Sequence, residues 1–162
     1  MSDVLILDLG TVIKGNCQIN GYADKIIVNS YSHGVHLPLQ QDAANTERTA
    51  GRPAFTEISF SKMSDLSTTE LYKACTQGTK IGDAKLHVGR VENGVYMPFF
   101  TYTFTNAMIS QISTSGGGMG VPSDSFTINF TKIQCDYTQQ QADSTKKGTG
   151  TWNWDLQIMK AA

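Results

Sequence analysis

The residues best suited to acid–base chemistry near neutral pH are the three histidines, His33, His36 and His87. A zinc site needs several imidazoles or thiolates that converge on one point, and no paired cysteine motif accompanies these positions. We therefore predict that His33 and His36 are exposed loop residues and that His87 lies on the wetter face of a strand. An enzyme with an unrecognised site around these histidines is kept as an alternative.

The three cysteines, Cys17, Cys75 and Cys135, are odd in number and far apart in the sequence. This pattern argues against a disulfide framework and indicates reduced thiols in a chain that folds in the cytoplasm. The N-terminal residues lack the basic and apolar regions of a cleavable leader. No nucleophile motif or paired carboxylates stand out. The sequence predicts no catalytic residue, no metal site and no cofactor.

The glycine-rich run at residues 116–120 (GGGMG) would suit a phosphate only if a helix began directly behind it. Val121 and Pro122 follow instead, and the next segment alternates like a strand. We predict a loop that joins two strands.

Trp152 and Trp154 stand two residues apart, so a strand would place both on one face. Such a pair can form a platform on which a sugar stacks. Leu156 and Ile158 continue the same phase, which favours an unbroken apolar face and a core position for Trp154. A monomeric β-barrel module that binds carbohydrate is the second alternative.

Alternation of apolar and polar residues dominates the chain and predicts that the elements carrying these residues are β-strands. Clusters of glycine, asparagine and serine separate the runs, as in an antiparallel sandwich or barrel. The alternating runs are residues 25–32, 56–61, 84–89, 96–105, 107–115, 126–131 and 152–159.

One segment has helical spacing instead. Residues 67–70 (STTE) match a capping box, in which Ser67 accepts the backbone N–H of Glu70. Leu66 and Leu71 stand where a hydrophobic staple would place them, and a glycine follows as a stop signal. The pattern predicts one short amphipathic helix at about 67–77 that packs on the barrel.

Composition limits the class of protein. The 162 residues carry 13 basic and 14 acidic side chains, a formal net charge of -1, and only 17% are charged. This balance argues against a nucleic-acid-binding protein and permits self-association. No stretch approaches the ~20 apolar residues of a membrane span. Polar stretches at residues 34–53, 115–125 and 139–150 are predicted to be loops.

The order of these motifs resembles the haemolysin-coregulated protein (Hcp) family, the tube proteins of bacterial type VI secretion. The first similar strand has Tyr31 and His33 where tryptophans are common, and of the glycine-rich stretch before the third strand only Gly51 remains. The similar segments, in the family's order, are residues 23–34 (ADKIIVNSYSHG), 58–65 (ISFSKMSD), 69–78 (TELYKACTQG), 84–88 (AKLHV), 112–117 (ISTSGG), 125–133 (SFTINFTKI) and 150–155 (GTWNWD).

The resemblance implies a single tube-subunit domain over residues 1–162, mainly β: an antiparallel double-sheet β-barrel with one short helix and no enzymatic activity. It implies a ring of six copies, which stacks on further rings into a hollow tube. The implied partners are sheath, baseplate and spike proteins, with no nucleic acid and no membrane insertion. Such tubes assemble in the bacterial cytoplasm and are then secreted to the exterior or into target cells without a signal peptide.

The lumen of the family's tube can hold small effector proteins. Ser32 aligns with a small polar residue of the segment that lines this lumen, so the resemblance makes Ser32 a candidate effector-binding residue. The competing interpretation is that Ser32 is only a strand-end residue beside the turn at Gly34.

Overall fold

The computed structural model describes residues 3–41, 48–140 and 146–161, which form thirteen strands and one helix. The strands are β1 (Asp3–Asp8), β2 (Ile26–Val28), β3 (Ser30–Ser32), β4 (Val35–His36), β5 (Leu39–Gln41), β6 (Arg48–Ala50), β7 (Ala54–Phe55), β8 (Ile58–Met63), β9 (Gly82–Glu92), β10 (Val95–Ser115), β11 (Ser123–Asn129), β12 (Lys132–Gln140) and β13 (Lys146–Asp155). Helix α1 (Ser67–Gln77) lies between β8 and β9.

Seven of these strands close into a barrel in the order β2-β1-β9-β10-β11-β8-β3, with every neighbouring pair antiparallel. Only Asn29 separates β2 from β3, so one stretch of chain stands at both ends of this order. The backbone N–H of Asn29 donates to the carbonyl of Ser61 over 2.6 Å. Residues 25–32, predicted as one strand, are therefore two short strands that join the two sheets.

Strand β10 belongs to both sheets. Its first half pairs with β9 and β12, and its second half pairs with β11. The register shifts beside Asn106, whose positive φ of 55° marks an irregularity in the strand. The predicted runs 96–105 and 107–115 are thus two halves of one long strand. These pairings confirm the mainly β, double-sheet architecture with one helix.

The main core fills the space between the sheets and under the helix. Leu71 and Ala74 of α1 are buried in it, as the helical spacing predicts. Gly78 ends the helix with φ 61°, and its N–H donates to the carbonyl of Ala74. A smaller cluster on the other face of β1 contains Ile6, Cys17 and Tyr96.

The predicted start of the helix is wrong in its details. No side chain caps the helix from the Leu66 position, and Leu66 is 86% exposed, so neither the capping box nor the staple forms. Instead the Asp65 carboxylate accepts the backbone N–H of Ser67 over 2.9 Å. The Ser67 hydroxyl also turns to Asp65. Asp65 takes the cap because the buried ammonium of Lys62 fixes its carboxylate there.

Two of the predicted loops contain strands. Residues 34–55, here called the arm, carry the pairs β4–β7 and β5–β6, and residues 42–47 lie outside the described residues. The stretch 139–150 is the meeting point of β12 and β13, with residues 141–145 also outside them. Strands β1 and β12 were not predicted. Residues 116–120 do lie in the connection from β10 to β11, as expected.

Candidate functional site

Ser32, the candidate effector-binding residue, ends strand β3 and is exposed. It pairs with Ser59 of β8. Its neighbour Tyr31 points the other way, because the Tyr31 ring contacts the ring of Tyr102, with centroids 5.8 Å apart. Ser32 therefore belongs to the outer face of its sheet, where a molecule outside the barrel can reach it.

The outer face around Ser32 consists almost entirely of small hydroxyl side chains. We call it the hydroxyl face; it spans β3, β8, β11 and the second half of β10. One row of register partners is serine on all four strands: Ser30, Ser61, Ser125 and Ser113. The rows on either side are Ser32, Ser59, Thr127 and Gln111, and Met63, Ser123 and Ser115. Sequence alternation indicated that these residues face outward, but only the register shows that the serines meet.

The charged side chain of Glu57, which precedes β8, lies at one end of the hydroxyl face. Its carboxylate accepts hydrogen bonds from the Ser110 hydroxyl and from the Asn129 amide, the latter over 3.1 Å. These bonds, first from Ser110 and then from Asn129, lower the pKa of Glu57 despite partial burial. Glu57 is therefore an anion held in place by the sheet, and the serine rows beyond it are uncharged.

His33 lies at the base of the arm, among aromatic rings. Its ring centroid is 5.8 Å from that of Phe130 and 6.4 Å from those of Phe55 and Tyr102. The side chain is half-buried, and burial lowers its pKa. Its Nε2 atom is buried without a hydrogen-bond partner among the described residues. His33 lies between β3 and β4, outside the strands, as predicted, but its predicted exposure is wrong because three distant segments converge on this ring.

The two tryptophans join the same aromatic group through Phe55. The Phe55 ring stacks on Trp152 with centroids 6.0 Å apart and on Trp154 at 6.3 Å. Trp154 is half-buried against the core, whereas Trp152 is 41% exposed. Strand β13 ends at Asp155, and Ile158 lies beyond it at 58% exposure. The predicted unbroken apolar face is therefore wrong, and Trp154 is only partly in the core.

The three histidines share no site. His36 is exposed as predicted, but it lies in strand β4 and not in a loop. His87 is half-buried on the less buried face of β9, as predicted, between the buried residues Leu86 and Val88. Its ring centroid is 5.2 Å from that of Tyr22, and burial lowers its pKa. Tyr22 has no contact with the rings around His33. Within residues 3–41, 48–140 and 146–161, no three histidine, cysteine, aspartate or glutamate side chains lie close enough to hold a metal ion.

Cys135, on the aromatic face of β12, is a poor nucleophile. Burial and the neighbouring charge of Asp136 raise the pKa of its thiol to about 11. The thiolate is the reactive form of cysteine, and it is scarce near pH 7 at such a pKa. Cys135 is also a free thiol, as are Cys17 and Cys75.

A buried ion network under the helix was not predicted. The Lys62 ammonium is fully buried and donates to Asp124 over 2.9 Å and to Asp65 over 3.0 Å. Burial alone would raise the pKa of Asp124, but hydrogen bonds from Thr68, Lys62, Thr114 and Ser64 lower it to about 2. The sequence showed the Lys62–Asp65 spacing but not Asp124, which is 62 positions from Lys62. The network joins β8, β11 and α1 and has a structural role.

The arm carries uncovered apolar side chains. Val35, Leu37 and Leu39 are 51%, 46% and 51% exposed. All three fall within residues 35–39, from β4 to the start of β5, and we call them the apolar side of the arm. The arm is anchored at its base, where the Gly34 N–H donates to the Thr56 hydroxyl over 2.9 Å and the Thr56 N–H donates to the Gly34 carbonyl over 3.0 Å. An anchored arm with an apolar side is suited to contact another protein.

The described residues include no helix with the length and apolar character needed to cross a membrane.

A protein-family model described as "Type VI secretion system effector, Hcp" matches residues 6–137 of this chain. The curated protein "Protein hcp1" of Pseudomonas aeruginosa is 31% identical over 102 residues. That alignment covers 62% of this chain and 63% of the relative, so the chain spans less than two thirds of the relative's length.

Solved structures with this fold have similar descriptions. One, "Structure of a type six secretion system protein", superposes with a TM-score of 0.91 at 20% identity and covers 99% of this chain and 100% of its own. Hcp1 from Salmonella typhimurium gives a TM-score of 0.80 at 20% identity, with 100% of both chains covered. A type VI secretion system effector from Yersinia pestis gives 0.70 at 17% identity, covering 93% of this chain and 98% of its own. At these identities the likeness shows the fold.

Proposed function

This chain belongs to the Hcp family of type VI secretion proteins, and we propose that it is a structural subunit of the secretion tube and not an enzyme. Six copies form a ring, and rings stack into a hollow tube that is exported with small effector proteins in its lumen. The tube assembles in the bacterial cytoplasm beside sheath, baseplate and spike proteins. It is then secreted to the exterior or into target cells, and it needs neither nucleic acid nor membrane insertion.

The observation that carries this proposal is the apolar side of the arm. Val35, Leu37 and Leu39 expose about half of each side chain. A ring is built from head-to-tail contacts in which one surface of each copy meets a different surface of the next. Covering the arm in such a contact removes its apolar side chains from water, which favours assembly. The low charge of the chain leaves little repulsion to oppose this.

Within this tube, we place Ser32 on the lumen wall. Its exposure on the hydroxyl face supports the assignment, because a wall residue must be reachable from outside the barrel. Its small side chain leaves room for a passenger and can donate or accept a hydrogen bond.

The carbohydrate-binding alternative depends on Trp152, which is 41% exposed. One face of its ring is already covered by Phe55, which stacks on it at an interplanar angle of 19°. Trp154, the second member of the platform, is half-buried beneath the same Phe55 ring. A sugar would therefore find one ring and not two, so the tube function is the better supported proposal.

Light scattering of the purified protein tests the ring. We expect a mass near six times 17.7 kDa, together with rings that have a central hole in electron micrographs. A monomer at micromolar concentration contradicts the proposal.

The contribution of the arm is tested with Leu37→Asp, which places a charge on its apolar side. We expect loss of rings or of stacked rings. Leu66→Asp is the matched control, since Leu66 is also exposed but lies at the helix start, away from the arm. Equal assembly of both variants would show that the arm is not a contact.

Ser32→Gln tests the lumen position, with Ser32→Ala as a control that removes the hydroxyl without adding bulk. We expect both variants to form rings and only the glutamine variant to lose a co-purifying small effector. An intact Ser32→Gln ring with unchanged effector recovery would refute the assignment. Loss of the ring would place Ser32 in a subunit contact instead.

A further inference from the structure

The hydroxyl face differs from an ordinary protein surface in what it lacks. Across its three rows, the side chains are serine, threonine, glutamine and one methionine, with no lysine, arginine, aspartate or glutamate. Neighbouring strands lie about 4.8 Å apart, so the four strands make a patch on the order of 15 Å wide. Most protein surfaces of this extent carry charges of both signs.

The charged side chains of these strands lie in the interior or at one end of the face. Lys62 and Asp124 lie on β8 and β11 but point inward, where they bind each other over 2.9 Å. Glu57 lies at one end of the face and is held by Ser110 and Asn129. The serine rows therefore have no charged side chain on their surface, although both strands contain charged residues.

The hydroxyl groups of the face are also partly engaged with one another. The Ser110 and Thr127 oxygens are 2.6 Å apart, and those of Ser115 and Ser123 are 3.4 Å apart. A partner must compete with these contacts and with water, so each new hydrogen bond contributes little. Only Met63, at the margin, offers exposed apolar surface. The face is suited to weak contact with a polar surface.

The chemistry of a partner follows from this surface. A charged patch docked here would lose hydration without gaining an ion pair, which is unfavourable. An apolar patch would find no apolar partner. A polar, uncharged patch loses least, because serine hydroxyls both donate and accept hydrogen bonds.

We infer that the hydroxyl face is the wall against which the passenger protein lies, and that it fits a passenger whose contacting surface is polar and uncharged. The contact is weak, independent of salt and easily released. This inference rests on the proposed tube function, because Ser32 of the lumen assignment is one member of the face. It adds the chemical class of passenger that the wall accepts.

The test places one charge at the centre of the face. Ser125 is exposed in the all-serine row, and Ser125→Lys and Ser125→Glu give it either sign. Ser125→Thr is the neutral control, and Gln77→Lys adds the same charge on the exposed helix end away from the face. The probes are three fluorescent peptides of equal length: serine- and glycine-rich, the same with four lysines, and the same with four glutamates. Binding is followed by anisotropy at about 50 mM and about 500 mM salt, which changes the screening length roughly threefold.

We expect the parent protein to bind the serine- and glycine-rich peptide several-fold more tightly than either charged peptide, at both salt concentrations. Ser125→Lys should bind the glutamate peptide at least about tenfold more tightly at low salt only, and Ser125→Glu should do the same for the lysine peptide. Ser125→Thr and Gln77→Lys should resemble the parent. A parent that binds either charged peptide as tightly as the uncharged one, or that binds none of the three, overturns the inference. An absence of any effect from either Ser125 charge overturns it as well.

Sizing and urea unfolding of each variant keep the two proposals distinct. A parent that stays monomeric contradicts the tube function, while the peptide assay still reports on the exposed face. A parent that forms rings and a folded Ser125→Lys that does not would show that the face is a subunit contact, which overturns the inference and leaves the tube function standing.

Discussion

Two parts of the molecule hold an irregular segment to the barrel, and they do so by opposite means. Under the helix, Lys62 and Asp124 are buried, and Asp124 is bonded to four side chains. At the base of the arm, the rings of His33, Phe55 and Trp154 pack together and are here called the aromatic base. Two of their ring nitrogens, His33 Nε2 and Trp154 Nε1, are buried without a hydrogen-bond partner in the described part of the chain.

The two regions differ in how fully their buried polar atoms are hydrogen-bonded. Buried polar atoms in folded proteins are almost always hydrogen-bonded, and each unsatisfied one costs free energy. The ion network meets this rule on its own. The aromatic base does not, and the same region bears the exposed ring of Trp152 and the apolar side of the arm. The buried polar atoms of the ion network are all hydrogen-bonded, whereas the aromatic base has exposed surface that a neighbouring molecule could cover.

The largest expected effect tests the ion network. Lys62→Met leaves Asp124 and Asp65 without their cation, and such a loss typically costs about 3–5 kcal/mol. Lys25→Met is the matched control, because the Lys25–Asp8 pair has the same 2.9 Å separation but side chains about a quarter exposed, and such a pair contributes less than about 1 kcal/mol. Urea unfolding measures both. Similar losses would mean that the buried pair is no more important than the exposed one.

The aromatic base should contribute less than the ion network to the free energy of unfolding. Trp154→Ala is expected to lower the free energy of unfolding by about 2 kcal/mol, less than the ~3–5 kcal/mol of a fully buried aromatic ring. Trp154→Phe leaves Trp152 as the single tryptophan, and iodide quenching of its fluorescence then reports its exposure. We expect quenching in the monomer and protection in the ring. Equal quenching in both states would show that no neighbour covers this region.

The two regions should lose their contributions to stability over different ranges of pH. The unfolded chain binds protons more readily than the folded one at His33 and at Asp124, since both folded pKa values are lowered. The stability contributed by His33 is therefore complete above its ordinary pKa of 6.5 and falls as pH drops below it. That of Asp124, roughly 2 kcal/mol, is lost only between pH 3.8 and about 2.

We accordingly expect His33→Phe to reduce the loss of stability between pH 7 and pH 5, measured by urea unfolding across that range. His87, whose pKa burial also lowers, should retain its share of the loss. The control variant His36→Phe removes an exposed histidine of the arm by the same substitution. Parallel pH profiles for the parent and His33→Phe would remove His33 as a titrating group of the aromatic base.

The smallest effect distinguishes two accounts of the helix start. Ser67→Ala should cost about 1 kcal/mol through the lost hydrogen bond to Asp65. Glu70→Ala should cost less than about 0.5 kcal/mol, because an exposed side chain with no capping role contributes little. A capping box would make both losses similar. Thermal unfolding of the two variants decides between them.

Local patterns predicted the elements whose partners are near in sequence. The helix bounds were correct because the spacing of Leu71 and Ala74 and the stop at Gly78 are properties of a single segment. The cap was wrong because Asp65 is fixed by Lys62, and Lys62 is fixed by Asp124 from a distant strand. Local motifs carry no information about such a partner.

The candidate site followed the same division. Ser32 became a candidate only through the family resemblance, and its exposure on the outer face of the sheet comes from the structure. The row that Ser30 shares with Ser125 depends on strand register, which no single segment encodes. His33 was predicted to be exposed because no motif in the sequence gave it a partner, whereas the rings that bury it come from Phe55, Tyr102 and Phe130.

The position of Asn29 between β2 and β3 also affects the order in which the barrel strands can pair during synthesis. A ribosome releases β2 and β3 early, yet of the seven barrel strands β11 emerges last, ending at Asn129, and it alone bridges β8 to β10. Until then, β8 and β10 each keep a bare edge, which another growing chain can pair with. Contacts this far apart in sequence also form slowly. The edges that await β11 are therefore covered once this seven-residue strand leaves the exit tunnel, and the part of β10 that pairs with β12 finds its partner later still.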